Sequence, residues 1–166
     1  MVRQKCSGIR RSYLGLVAHN LQYIVIKQQQ HSINTNQDVS NMIERNELRD
    51  GLVFVNESNK NESVIMNFYS WVHIIYGVII FYGRKSEEEA NYIISNTPMF
   101  TTPPKNFMEA CMLGHEDEYY WGMVMSHGDR YFEKGFPRTA PDDYFEWEDS
   151  YIKDHKLERN TLVFND

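Results

Sequence analysis

The densest grouping of chemically capable side chains in the 166-residue chain is His115-Glu116-Asp117-Glu118, with His127 and Asp129 a dozen residues on. Imidazoles and carboxylates bind divalent metals, and His115 and Glu118 have the i, i+3 spacing that shares a helix face. A complete site of that kind needs carboxylates from two further helices. The apolar stretch from Val64 to Tyr82 supplies none, so these acids read as the solvated first turn of a helix, where negative charge is favoured. His73, with Tyr69 and Tyr76 half a turn away, has the makings of a general base or ligand. A core histidine bonded to one hydroxyl or carbonyl is the preferred reading. Cys111 sits among apolar residues and reads as a small core hydrophobe. Ser126-His127-Gly128-Asp129 names the members of a triad, but triads are assembled from distant segments. The chain has no Gly-rich phosphate loop, no Gly-x-Ser-x-Gly elbow and no His-Glu-x-x-His. No catalytic, metal-binding or cofactor residue is therefore assigned.

Two segments combine acids with aromatics. Glu116, Asp117 and Glu118 precede Tyr119, Tyr120 and Trp121, while Asp142, Asp143, Glu146, Glu148 and Asp149 surround Tyr144, Phe145, Trp147 and Tyr151. Aromatics supply anchored contact area and carboxylates supply steering toward a cationic partner. The residues expected to meet such a partner are Glu116, Asp117, Glu118 and Tyr120 from the first segment, and Asp142, Asp143, Glu146, Trp147 and Glu148 from the second. The competing reading packs the same rings inward on amphipathic helices.

The elements that must position these groups read as helices. Ile9, Tyr13, Val17, Leu21 and Ile24 recur on one face after Ser7, and Asp38 can cap a second helix reaching about Arg49. Leu52-Val53-Phe54-Val55 is β-prone but short. The spacing then predicts a third helix over 62–82, apolar nearly all round and so a central one, closed by Gly83. Ser86 and Glu89 form a capping box for a fourth helix that buries Ala90, Ile93 and Ile94 and ends before Thr97-Pro98. Thr102-Pro103-Pro104 can open a fifth, broken at Gly114. A sixth covers 116–125, with a strand pair over 115–132 as its alternative. The last starts at Thr139-Ala140-Pro141-Asp142 and turns Tyr144, Phe145, Glu148 and Ile152 inward. No hairpin-joined strand pair stands out. The fold class is mostly α, a bundle of six or seven helices around the central apolar helix, in a single domain over 1–166.

Composition agrees with a globular chain: 42% hydrophobic, 24% charged, 14% aromatic. The net charge of −6 is unevenly spread. Residues 1–104 carry ten Lys and Arg against nine Asp and Glu, a net +1; residues 105–166 carry seven against fourteen, a net −7. An acidic half repels phosphate and attracts basic partners, so nucleic acid is not an expected partner. Cys6 and Cys111 form no Cys-x-x-Cys pair, which favours a reducing, cytoplasmic setting. The run from Val64 to Tyr82 is just long enough to cross a bilayer. Asn67 and His73 within it, and aromatics at its middle rather than its ends, favour burial in protein instead.

The stretch from Phe68-Tyr69-Ser70-Trp71 to Tyr82, then Gly83-Arg84 and the capped Ser86-Glu87-Glu88-Glu89 helix, resembles the core of small all-helical immunity proteins of bacterial polymorphic toxin systems. Tyr144-Phe145-Glu146-Trp147-Glu148 resembles their closing helix. The resemblance implies a protein that binds a toxin, often a nuclease, and blocks it without catalysis. The expected function is thus a non-catalytic binding protein that occludes the active groove of a basic protein, a cognate toxin foremost. The alternatives are a phage or mobile-element anti-defence protein that sequesters a ligand or host factor, and a small metal- or His-dependent enzyme.

Overall fold

A computed structural model describes residues 48–165. The first expected helix, nearly all of the second, and Cys6 lie outside the described residues. The order is β1 (Leu52–Val55), β2 (Ser63–Met66), α1 (Phe68–Phe81), α2 (Glu87–Asn96), α3 (Pro98–Thr101), α4 (Phe107–Leu113), α5 (Glu118–His127), a 3₁₀ turn (Tyr131–Lys134), α6 (Tyr144–His155) and β3 (Leu162–Asn165). The chain is largely helical, as expected, but it carries a small antiparallel sheet in the order β1-β2-β3.

The sheet corrects the helix expected over 62–82. Its residues Ser63–Met66 leave helical geometry and pair as β2, with Val64 opposite Phe54 on one side and Phe164 on the other. Alternation explains the choice. Val64 and Met66 are buried, as are parts of their neighbours Phe54, Leu52, Phe164 and Leu162, whereas Val53 and Val55 on the opposite face are 61% and 45% exposed. Four-residue strands are too short to stand alone and need a core beneath them. Here that core is helical, and β3 comes from the far end of the chain, which no local pattern announces.

Asn67 makes the break between β2 and α1. Its Oδ1 accepts from Gly51 N at 2.9 Å and its Nδ2 donates to Asn160 O at 2.7 Å, while its own N donates to Thr161 O at 2.8 Å. One turn on, the buried Ser70 N donates to Asp50 Oδ1 and its Oγ donates to Asp50 Oδ2 at 2.7 Å. The same Oγ accepts from Glu158 N at 2.8 Å. Two small polar side chains thereby join the entry to β1, the start of α1 and the approach to β3.

Helix α1 is buried along Phe68, Trp71, Val72, Ile74, Ile75, Val78 and Ile79. Its close neighbour is α5. A Cβ on Gly122 would run into the Val78 side chain, so glycine is what allows the two backbones to approach. Gly83 follows the C-cap Tyr82 and closes α1 by donating its N to Val78 O at 2.8 Å, and the left-handed residue is the next one, Arg84, at φ 54°. Gly83 is needed for space, because a Cβ there would collide with Ser126 Oγ and Ile79 O. Helix α6 lies against α1 through Tyr151, whose ring leaves no room for a side chain on Gly77: a Cβ would sit 2.6 Å from Tyr151 Cζ.

Several local expectations hold. The Ser86–Glu89 capping box is present on both sides, and Ala90, Ile93 and Ile94 are buried. Gly114 caps α4. The segment 115–132 is helix α5 and a 3₁₀ turn, not a strand pair. The fifth helix is shorter than predicted: Pro98–Thr101 forms one turn of its own, and α4 starts only after the N-cap Asn106. Among the described residues no helix is long and apolar enough to cross a membrane.

The polar junction yields a stability prediction. Asn67→Ala removes the hydrogen bonds to the Gly51 N–H and the Asn160 C=O, which costs about 1–2 kcal/mol at about 0.5–1.5 kcal/mol per hydrogen bond. Chemical denaturation should show a lowered midpoint with unchanged slope; an unchanged midpoint would mean that the junction is not structural.

Candidate functional site

The two acidic-aromatic segments do not form the single face that the sequence implied. Tyr119 and Trp121 are buried, and Tyr120 is half-buried. Asp117 is spent on the helix: its Oδ1 accepts from Tyr120 N at 2.8 Å and caps α5. Glu116, Asp117 and Glu118 instead line a cavity of about 240 Å³ together with Glu148, Arg159 and Thr161. This cavity exists because the junction at Asn67 delivers the 158–161 segment to the N-terminus of α5.

Glu118 and Glu148 face this space from α5 and α6. Thr161 Oγ1 donates to Glu118 Oε1 at 2.6 Å, and Tyr144 Oη donates to Glu148 Oε1 at 2.8 Å. Burial pushes the Glu118 carboxyl up to about 7, opposed by the Thr161 hydrogen bond and aided by Glu148 and Asp117. Burial also raises Glu148, and the Asp149 and Asp117 charges add to it. Tyr144 is pushed far up, chiefly by burial and then by the Glu148 charge, so it stays a donor. At the cavity wall, Arg159 donates to both carboxylate oxygens of Asp149 at 2.7 and 2.8 Å. Chemically, the cavity can store a proton near neutrality or meet a cation. Among the described residues no group of three or more His, Cys, Asp or Glu is placed to hold a metal ion.

The second acidic segment is built differently. Asp142, Asp143 and Glu146 are exposed, and none has an ion-pair partner among the described residues. Helix α6 starts at Tyr144 rather than at Thr139, and Phe145 is 68% exposed, not turned inward as expected; Tyr144 and Ile152 do face the core. At 100° per residue, burying Tyr144 and Glu148 on one face places Phe145 on another. Phe81, the last residue of α1, is 57% exposed and was missed by the sequence reading. Its ring stacks on Trp147 at 5.7 Å and 19°. Tyr82 stands at right angles to Trp147 at 5.2 Å, and its hydroxyl reaches Asp143 Oδ1 at 3.5 Å. Burial and the Asp143 charge hold that hydroxyl up at about 12. The result is a ridge of rings anchored at its base and ringed by uncompensated carboxylates. Phe81 was hidden because it reads as one more apolar residue of a buried helix; only its position at the helix end exposes it.

His73 does meet Tyr69 and Tyr76, with ring centroids at 5.7 and 6.0 Å. It also meets two rings from α6: Tyr151, whose Oη lies 3.1 Å from His73 Nδ1, and His155 at 4.8 Å. Burial and then the His155 charge lower His73 to about 4, so it packs as a neutral ring. Cys111 is buried, as a core residue.

No family model, no curated protein and no solved structure matches this chain.

The Glu118 carboxyl sets a pH test. A carboxyl raised in the native state lets the folded protein bind more protons than the unfolded chain between about 4.5 and 7. Its contribution to stability therefore falls as pH rises through that window. Glu118→Gln should flatten this part of the pH–stability profile and be more stable than wild type above pH 7; parallel profiles would show that the carboxyl is not buried.

Proposed function

We propose that the protein is a non-catalytic binding protein that neutralises a basic protein partner by occluding its active groove, as the immunity protein of a cognate toxin does. The observation that carries this reading is the exposed aromatic surface of α1 and α6: Phe81, stacked on Trp147, and Phe145 are each more than half exposed, and Asp142, Asp143 and Glu146 are exposed on or just before the first turn of α6 with no ion-pair partner among the described residues. Exposed aromatic area beside unpaired charge marks an interaction surface, because a solitary domain gains nothing by hydrating it. The rings supply the anchors and the carboxylates supply steering and selectivity for a cationic partner. In this reading the helices gather as a bundle around α1, in the cytoplasm, and the ridge projects where α1 and α6 meet. Glu116, Asp117, Glu118 and Glu148 belong to the cavity and contribute field rather than direct contact. The cavity favours a second reading, the sequestration of a small ligand.

The test is a titration of the protein with the product of the neighbouring open reading frame, at low and high salt. Asp142→Asn, Asp143→Asn and Glu146→Gln together should slow association about tenfold at low salt and reduce its salt dependence. Phe81→Ser with Phe145→Ser should speed dissociation, at a cost of about 2 kcal/mol or more. Affinity unchanged by both sets would remove the ridge as the binding surface. A neighbouring product that neither harms cells nor binds would remove the toxin.

A further inference from the structure

The acidic average conceals a basic surface where α1 ends. Arg84 leaves the helix in the left-handed conformation and lays its guanidinium over Phe136, 5.6 Å from the ring centre. The His127 ring stacks on Phe136 at 4.2 Å and 22°, and its Nε2 pairs with Gly83 O at 2.8 Å. Lys134 Nζ donates to His127 O at 2.7 Å. The loop 131–138 that carries Phe136 is closed on itself by Tyr131 Oη, which donates to Arg138 O at 2.6 Å, and turned by Gly135 at φ 90°. At the end of the loop the Arg138 guanidinium lies over Phe132, 5.0 Å from the ring centre.

These contacts place cations and flat rings on one loop and its neighbour. Two cations of the region are neutralised locally, Lys85 by Glu89 and Arg130 by Glu133. Arg84, Lys134 and Arg138 have no carboxylate partner among the described residues. Burial, and then the charges of Lys85, Lys134 and Arg84, hold His127 below its ordinary value, against the Gly83 hydrogen bond that raises it.

We infer that this face binds a single-stranded nucleic acid, with Arg84, Lys134 and Arg138 on phosphates and the exposed Arg138–Phe132 pair as the platform for a base. The physical case rests on the combination. Free cations alone would suit any polyanion, but unstacked bases lie on aromatic rings and on guanidinium planes. A chain of carboxylates would leave those flat surfaces unused. Duplex DNA would bring a dense line of phosphate charge against the acidic remainder of the protein, whereas a single strand can follow a short basic track. The inference departs from the expectation, drawn from the mean charge, that nucleic acid is no partner. It does not depend on the ridge of Phe81 and Phe145 or on its cationic partner.

The experiment is fluorescence anisotropy of a labelled oligouridylate with the full chain across a salt series, competed with oligothymidylate, duplex DNA and polyglutamate. Wild type should bind at low salt with a slope of log K on log salt of about −2, as three phosphate contacts give at roughly −0.7 each. Arg84→Gln, Lys134→Gln and Arg138→Gln together should cost at least about tenfold in affinity and flatten the slope. Phe132→Ser, at a residue 36% exposed, should weaken binding about fivefold or more with the slope unchanged. Lys60→Gln, which removes the same charge from the exposed β1–β2 loop, should bind as wild type; thermal melts establish that each variant is folded. The inference is overturned if wild type does not bind at low salt, or if the triple variant binds equally well. Competition by polyglutamate as strong as by oligothymidylate, with Phe132→Ser silent, would overturn it in favour of an acidic polypeptide.

Discussion

The structure hangs on the polar junction formed by Asn67 and Ser70 with Asp50, Gly51, Glu158, Asn160 and Thr161. Without it the largely apolar run from Val64 to Phe81 reads as one helix. The junction ends β2, starts the helix, and fastens the approach to β3 beside β2. Apart from the Asp50 carboxylate, each partner group is a backbone donor or acceptor at an element end, where no regular ladder satisfies it. Its value is therefore as much in direction as in energy: it decides which way β2, α1 and β3 leave the same point.

The cavity follows from that geometry. Thr161 reaches Glu118 because Asn67 holds the neighbouring Asn160 and Thr161 backbones. The buried carboxyl then has one hydrogen-bond donor and a raised affinity for a proton, and Glu148 faces the same space from α6 with Tyr144 as its own donor. Helix α6 thus serves two surfaces at once. Its inner face closes the cavity and grips Gly77 through Tyr151, while its first turn carries Phe145 and Glu146 out to solvent. The end of α1 divides the exterior in the same way, with Phe81 and Tyr82 toward the acidic ridge and Arg84 toward the basic loop.

Elements governed by contiguous residues were legible. The capping box at Ser86, the burial of Ala90, Ile93 and Ile94, the stop at Gly114 and the apolar body of α1 all follow from neighbours within one or two turns. The sheet was not, because three strands of four residues carry too little pattern, and β3 lies roughly a hundred residues from its partner. The candidate site was legible by residue type and not by arrangement. Acids and aromatics stand out by type, yet Glu118 and Glu148 went to the cavity while Asp142, Asp143 and Glu146 went to the ridge.

What the chain determines by itself is where helices can form and which charges it carries, since periodicity, caps and ionisable groups are local properties. Tertiary structure alone decided that Val64 and Met66 belong to a strand, that Phe81 and Phe145 remain wet, and that three cations gather around His127 within an acidic molecule. Those outcomes depend on which distant backbone groups satisfy one another and on which helix ends run out of neighbours to cover them. Neither quantity is written in the spacing of residues along a single segment.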